Sequence, residues 1–583
     1  MQFGVWAPRA QEVELVLDGA AVAMEPTGSP REGWWSVEAD AAHGARYAFR
    51  LDGGDERPDP RTGWQPDGVH AASAVVDPAT FSWTDGDWAG RDVRGAVVYE
   101  LHVGTFTPEG TFAAAVQKLD HLVDLGVDVV EVLPVSAWDG PWNWGYDGVA
   151  PYAVQHEYGG PEGLAAFVDA CHARGLAVAL DCVYNHLGPS GNYLGEFGPY
   201  FTEKHDTPWG AAVNLDDTGS VEVRRWICDN ALRWFRDFHV DALRLDAVHA
   251  LVDDSDRHVL QQLADETAAL SADLGRPLGL VAESDLNDAV MVTPTAQGGR
   301  GMTAQWDDDV HHALHAWLTG ERQGYYADFG DAEVVATTFE EAFFHAERFS
   351  TFRGEVWGKE VDRSVVPGTA FLGYLQTHDQ VGNRAVGDRI GHLLTPARQA
   401  AGAALYLLGP FTPMVFMGEE WNASTKWQFF TSFPDPELGK AVSEGRRGEF
   451  GQHGWDAEDV PDPQDPATRE ASVLDWDEVE HDGHARMLAW YRTLTGLRRS
   501  VPALADADLS AVRVDVQGDG RRGSLVLHRG DHRVVVTLGA GADVDVAGTP
   551  VEVVAAWSEG AAPELLGDGV RTASEGVVVV RVA

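Results

Sequence analysis

The first ninety residues carry apolar side chains at roughly every second position in short runs. VELVLDG and ARYAFRL are two such runs, separated by turns rich in Gly, Pro and Asp. Period-two alternation marks half-buried strands, so residues 1–92 are predicted to form a small β-sandwich, left through the loop RPDPRTGWQPDG. From 93 to 504 the pattern changes. Eight mostly apolar runs recur: AVVYELHV (96–103), VDVVEVLPV (127–135), AVALDCVY (177–184), DALRLDAV (241–248), GLVAES (279–284), MTAQWDD (302–308), FLGYLQTHD (371–379) and TPMVFMGEE (412–420). Near-continuous apolar character suits strands buried on both faces. Helical periodicity lies between the runs: Phe112, Val116, Leu119 and Val123 fall on one predicted face, and Ile227, Ala231, Trp234 and Phe238 on another. Eight strand–helix units predict a (β/α)8 TIM barrel within a multidomain chain. An insertion at about 186–219, rich in Gly, Pro and aromatics, is expected to overhang the barrel mouth. After the amphipathic segment MLAWYRTLTGLRR, residues 505–583 hold GSLVLHRG, HRVVVTLG and GVVVVRVA, which predict a C-terminal antiparallel β domain.

Composition narrows the partners. At 583 residues the chain is too long for one core. No run of eighteen apolar residues predicts a transmembrane helix, and MQFGVWAPRA lacks the basic-then-apolar pattern of a signal peptide. Three cysteines, Cys171, Cys182 and Cys228, are too few for a disulfide framework and form no CxxC pair, so a cytoplasmic location is expected. The formal charge of -48, from 43 Lys+Arg against 91 Asp+Glu, would repel nucleic acid and anionic membranes but tolerates neutral substrates such as sugars. The acid excess is spread along the chain, as in a solvated, solubility-promoting surface.

Barrel active sites form at the C-terminal strand ends. There the third strand carries Asp181, Asn185 and His186, the fourth Arg244 and Asp246, the fifth Glu283, and the seventh His378 and Asp379. Arg244 and Asp246 are two apart on a strand and so point the same way. An arginine beside a carboxylate keeps it ionised, as a nucleophile must be. Glu283 follows the apolar run GLVA, where burial or neighbouring acids would raise its pKa toward that of a general acid. Two carboxyls about 5–5.5 Å apart would give hydrolysis with retention through a glycosyl-enzyme, a third acid stabilising developing positive charge.

DCVYNH (181–186), ALRLDAVH (242–249), GLVAES (279–284) and LQTHDQ (375–380) resemble the four short conserved regions of the α-amylase superfamily, in order and at strand ends. That resemblance implies Asp246 as nucleophile, Glu283 as acid/base and Asp379 as transition-state stabiliser. It implies supporting roles for Arg244, His186 and His378, and Tyr146 stacking on the sugar at the cleavage point.

Within the superfamily, VVYELHVGTFTPEGTF, WNWGYDGVAPYAV, YNHLGPSGNYL, RLDAVHAL, AESDLND, AQWDDDVHHALH and THDQVGNR resemble the malto-oligosyltrehalose trehalohydrolases, and FGVWAPRAQEVELVL resembles the immunoglobulin-like, carbohydrate-binding-module-like sandwich that precedes such barrels. The resemblance implies hydrolysis of the α-1,4 bond beside a terminal trehalose, with malto-oligosyltrehalose and related α-glucans as substrates and functional pairing with an enzyme that forms them. It extends the substrate-binding set to Trp144, His249, Asp285, Asp308, Asp309, His311, His312 and Asn383, with Trp142 as a further candidate. His311 and His315 have a zinc-compatible spacing but no third ligand is evident. Many amylases bind calcium through the residue at the place of Asn185; the trehalohydrolase resemblance implies no such site, so no metal or cofactor is expected. The alternatives are a 1,4-α-glucan branching enzyme with the same acids, a plain α-amylase, and a non-catalytic glucan-binding protein.

Overall fold

The computed structural model describes residues 1–29, 31–452, 460–572 and 575–583. Eight parallel strands close into a barrel: β1 (Val98–Leu101), β2 (Val129–Val132), β3 (Ala177–Cys182), β4 (Ala242–Leu245), β5 (Gly279–Ala282), β6 (Ala304–Trp306), β7 (Phe371–Tyr374) and β8 (Thr412–Phe416), with β8 returning to pair with β1. Each falls within one of the eight apolar runs. All residues of these strands are buried, because one face fills the barrel and the other meets the helices.

The main outer helices are α1 (Leu119–Leu125), α2 (Gly160–His172), α3 (Ser220–Asp237), α4 (Val259–Leu274), α5 (Asp308–Thr319), α6 (Ala332–Glu341), α7 (Pro396–Leu408) and α8 (Asp482–Ser500). α3 buries Ile227, Ala231 and Trp234 as its periodicity predicts. The face predicted through Val123 differs. A short helix, Phe112–Val116, ends at Gln117, and α1 restarts after Lys118 with Leu119, Leu122 and Leu125 inward. The break turns Val123 outward, to 39% exposure. Gly126 then ends α1 at φ 91°, a left-handed conformation that glycine adopts without steric cost. Between β5 and β6 no α-helix forms, only the single turn Thr295–Gln297.

Two antiparallel sheets precede the barrel. Gln2–Trp6, Trp34–Glu38 and Glu25–Thr27 form one; Ala20–Ala23, Val13–Leu17, Arg46–Leu51 and Glu56–Arg57 form the other, with Ser73–Ala74 on its margin. Phe3 meets Tyr47 edge-on between them, at 5.1 Å. Trp226 of α3 donates to the Pro60 carbonyl at 2.9 Å, seating this sandwich on the barrel flank. After α8, a five-stranded and a three-stranded antiparallel sheet complete the chain. The first runs Arg513–Gln517, Ser524–Arg529, His532–Thr537, Gly576–Val582 and Pro550–Ser558, with Val577 and Val579 in the main core.

Two hairpins rise at the mouth. Phe201–Thr207 pairs with Gly210–Val213 inside the predicted insertion. Arg348–Ser350 pairs with Glu355–Trp357 in the long excursion between β6 and β7.

Candidate active site

The barrel register builds the site. Asp181 on β3 pairs in register with Arg244 on β4, and Glu131 on β2 with Glu100 on β1. Arg244 is fully buried. Its Nη1 donates to both Asp181 oxygens, at 2.9 and 2.8 Å, and to Asp246 Oδ1 at 2.8 Å. Its Nη2 makes an ion-pair contact with Glu283 Oε2 at 2.9 Å without hydrogen-bond alignment. One guanidinium therefore faces three carboxyl groups from three strands, and Trp306 of β6 covers it with its ring centroid 4.4 Å away.

The carboxyls are driven apart in ionisation. Burial alone would raise Asp246, but Arg244, then His186 and the Asn185 side chain, hold it below the usual carboxylate range. Asn185 Nδ2 donates to Asp246 Oδ2 at 2.6 Å and to its carbonyl at 2.8 Å. Glu283 goes the other way. Burial raises it well above the ordinary glutamate value, Arg244 opposes, and the charges of Asp246 and Asp379 add to the rise. Its side chain keeps 22% exposure and that of Asp379 34%, so both lie deep in the mouth yet reach open space. Burial also raises Asp379 against the opposing pull of His378 and Arg244.

A strained residue connects the strands. Ala247, directly after Asp246, has φ 39°, in the left-handed region, where a non-glycine residue costs about 1–3 kcal/mol. Its N–H donates to Glu283 Oε2 at 2.6 Å.

Tyr146, His378 and His186 join this cluster. Tyr146 donates to Asp181 Oδ2 at 2.6 Å, and its ring stacks on His378 at 5.2 Å. His378 opens the short helix His378–Gly382 that also carries Asp379. His186 contacts the Tyr146 carbonyl through Nε2, at 2.9 Å, and the exposed Trp209 at the first hairpin's tip stacks on it at 4.5 Å.

A cavity of about 310 Å³ opens beside Glu283 and Asp379. Asp285, Asp308, Asp309, His312 and Asn383, all expected from the sequence to bind substrate, line it. Tyr325, His345, Phe352, Arg353 and Trp357 line it too and were not anticipated. Most of these come from the second hairpin and the segment before it, which are too short and irregular for periodicity to betray. Arg353 donates to Asp285 Oδ2 at 3.0 Å, and Trp357 Nε1 to the Asp285 carbonyl at 2.8 Å. Asp309 faces inward as well as outward: Asn287 Nδ2 and the His345 N–H donate to it at 3.0 and 2.8 Å.

Other expected residues lie elsewhere. His311 is buried behind the wall, Nδ1 on the Leu375 carbonyl at 2.9 Å and Nε2 on the Tyr326 hydroxyl at 2.8 Å, so helix packing has taken it out of reach of a ligand. His315 is held by Glu321 at 2.8 Å. Trp144 is buried, donates to the Gln428 carbonyl at 2.9 Å and stacks on Trp427 at 5.4 Å. Its ring presses on Gly382, where any Cβ would collide with it; it supports the turn bearing Asp379. Trp142 is half-buried and tied to Ser432 Oγ at 2.9 Å. His249 is exposed, 3.6 Å from Asp285, outside the cavity lining. Asn185 is wholly engaged with Asp246 and His186. Among the described residues, His205, Asp216 and Asp254 form a group that could hold a metal ion, but Lys204 already pairs with Asp216 at 2.8 Å.

Known proteins resemble this chain over most of its length. The alpha amylase catalytic-domain family matches residues 75–206. The malto-oligosyltrehalose trehalohydrolase of Arthrobacter ramosus is 52% identical over 93% of each chain. A crystal structure assigned to an alpha amylase of Salmonella typhimurium superposes with a TM-score of 0.89 at 36% identity, covering 100% of this chain and 97% of that one. The 1,4-alpha-glucan branching enzyme of Corynebacterium jeikeium is far more distant, 26% identical over 77% of this chain and 64% of its own.

Proposed function

This chain belongs to the malto-oligosyltrehalose trehalohydrolase family, and from that membership we propose how its barrel mouth works. The protein is a glycosidase that releases trehalose from malto-oligosyltrehalose by cutting the adjacent α-1,4 bond. The observation carrying the mechanism is the shared guanidinium of Arg244, 2.8 Å from Asp246 and 2.9 Å from Glu283, with the two carboxyls pushed to opposite ionisation. Such divergence is how one site holds a base and an acid together.

Asp246, ionised, attacks the anomeric carbon while Glu283 gives its proton to the departing glycosidic oxygen. The bond to the trehalosyl unit breaks, trehalose leaves neutral, and the malto-oligosyl group is esterified to Asp246. Asp379 faces the positive charge that grows on the sugar ring in the transition state. Glu283, now ionised, takes a proton from water, whose oxygen attacks the same carbon and frees Asp246.

The cavity touches Glu283 and Asp379 but not Asp246, which supports reading it as the leaving-group side. Its volume lies at the low end of the roughly 300–1,000 Å³ of small-ligand pockets, suiting a disaccharide. Aromatic Tyr325, Phe352 and Trp357 and the hydrogen-bonding Asp285, Arg353 and His345 offer the mixed lining that a sugar's apolar faces and hydroxyls require. We assign trehalose to this cavity, and residues 1–92 and 505–583 to separate domains flanking the barrel of 93–504. The substrate must come from an enzyme that converts the reducing end of a maltodextrin into a trehalosyl end. Among the described residues no helix is long and apolar enough to cross a membrane, and all three thiols are free and buried; the proposal retains a cytoplasmic site of action.

Trapping tests the residue roles. A 2-deoxy-2-fluoro glycosyl donor should leave one sugar on the peptide containing Asp246 by mass spectrometry. An adduct on another residue contradicts the assignment.

A further inference from the structure

Glu100 of β1 is fully buried, and nothing in the bond-breaking sequence uses it. Both of its oxygens point at one residue: Oε1 lies 2.6 Å from His378 Nδ1, and Oε2 accepts the His378 backbone N–H at 2.9 Å. On the far side of the ring, His378 Nε2 lies 2.8 Å from the Tyr146 hydroxyl and 3.4 Å from Asp379 Oδ2.

The proton count follows from these partners. The Tyr146 hydroxyl has one proton, and it is donated to Asp181 Oδ2. Toward His378 the tyrosine oxygen can then only accept, so Nε2 carries a proton. Toward Glu100, Nδ1 faces a carboxylate oxygen and donates as well. Both ring nitrogens are donors, which in histidine means the imidazolium.

We propose that Glu100 is a positioning residue for the glycosidase reaction: its two oxygens clamp the ring and backbone of His378, holding a doubly protonated imidazole with Nε2–H aimed at Tyr146 and Asp379. The clamp ties β1 to the turn that carries Asp379, so it orients the third acid through a neighbour without touching the sugar. The charged groups that act on the ring are Glu100 from β1, Asp379 from its own helix, Arg244 from β4 and, behind the Tyr146 hydroxyl, Asp181 from β3; Glu131 of β2 and His102, just after β1, lie beyond them. Burial lowers the ring's basicity, Asp379 and Glu100 restore it, and the balance lies at about 9. The inference rests on Asp379 acting at the cleavage point as proposed above.

Two measurements test it. The first needs no substrate, so it is independent of the proposed chemistry. The wild-type chain, labelled with ¹⁵N-histidine, is titrated by NMR, and the His378 signal is identified by its loss in His378→Gln. Both nitrogens should stay protonated past neutral pH; a ring with one bare nitrogen at pH 7 would overturn the proposal even if Asp379 is catalytic. The second is a double-mutant cycle. Glu100→Gln keeps the shape but removes the charge, and should lower kcat roughly 10²-fold, as expected for a slightly misplaced group, with KM little changed and the His378 ring titration moved to lower pH. In the His378→Gln background it should add nothing. Full additivity, or an unmoved His378 titration in a folded Glu100→Gln chain, would show that Glu100 does not act through His378. If Glu100→Gln does not fold, the wild-type titration still decides.

Discussion

Arg244 and Asp246 stand two residues apart at the end of one strand, and Nη1 of the first lies 2.8 Å from Oδ1 of the second. The same guanidinium also binds Asp181 and reaches Glu283, so removing it would strand several buried charges. Breaking a buried pair from one side costs about 3–5 kcal/mol. Arg244→Ala is therefore expected to fold with clearly reduced stability and no measurable turnover. Arg244→Lys keeps the charge but not the planar fork that spans Asp246 and Glu283, and should fold better than the alanine variant while staying severely impaired. Thermal unfolding with initial-rate assays checks both; near-normal turnover in Arg244→Lys would contradict the spanning role.

The pH dependence follows from the two opposed shifts. Asp246 lies below its ordinary range, so it is ionised unless the medium is strongly acidic; Glu283 lies well above its own, so it stays protonated beyond the normal glutamate range. A bell-shaped kcat/KM profile is expected, with the acid limb below the usual aspartate value and the alkaline limb well above the usual glutamate value. An alkaline limb at an ordinary glutamate value would remove Glu283 from the acid role.

Stability should respond to Glu283 in the opposite sense from activity. A carboxyl that holds its proton more tightly when folded stabilises fully below its unfolded pKa, and that contribution is lost as pH rises through the folded value. Glu283→Gln removes the titration. It should cost roughly 10²–10⁴ in kcat, yet melt at an equal or higher temperature than the wild type at pH 8, the difference vanishing near pH 4. A variant that melts lower at pH 8 would show that the ionised carboxylate is stabilising after all.

Arg353 provides a test of the leaving-group cavity. It reaches Asp285 from the hairpin turn and covers Trp357, with its guanidinium 4.0 Å from that ring. Loss of one charge-assisted hydrogen bond is worth about 1.5 kcal/mol, roughly tenfold in kcat/KM. Arg353→Ala should lose that factor on malto-oligosyltrehalose. An unchanged kcat/KM would place trehalose elsewhere.

The formal charge of -48 should make stability depend on salt. Like charges repel across the folded surface and are screened within about 10 Å at 0.1 M salt. The melting temperature is expected to rise between 10 mM and 0.5 M NaCl; a flat response would mean that local ion pairs already balance the acid excess.

Much of the architecture was readable because its signals are strong and repeated. Eight mostly apolar runs became eight strands, since a strand buried on both faces leaves little room for polar residues. The acids stood out because Asp246, Glu283 and Asp379 end such runs with charge. Where local breaks intervene, the pattern misleads: Val123 turned outward because the helix restarts after Lys118. His311 lay in a conspicuous DDDVHH segment, but the helical period puts it on the packed side and His312 on the cavity side. Arg353 and Trp357 escaped notice because a three-residue strand has no period to detect. Glu100 was hidden by its setting: an acid within an apolar run gives no sign of its partner 278 residues away.

The most direct test of the account is product analysis on two matched substrates. Purified protein is given maltotriosyltrehalose and, separately, maltopentaose, and the products are separated by chromatography. Release of trehalose and maltotriose from the first, with slow or no attack on the second, is the predicted result. Equal cleavage of both, or new α-1,6 branches on longer glucans without trehalose, would contradict it.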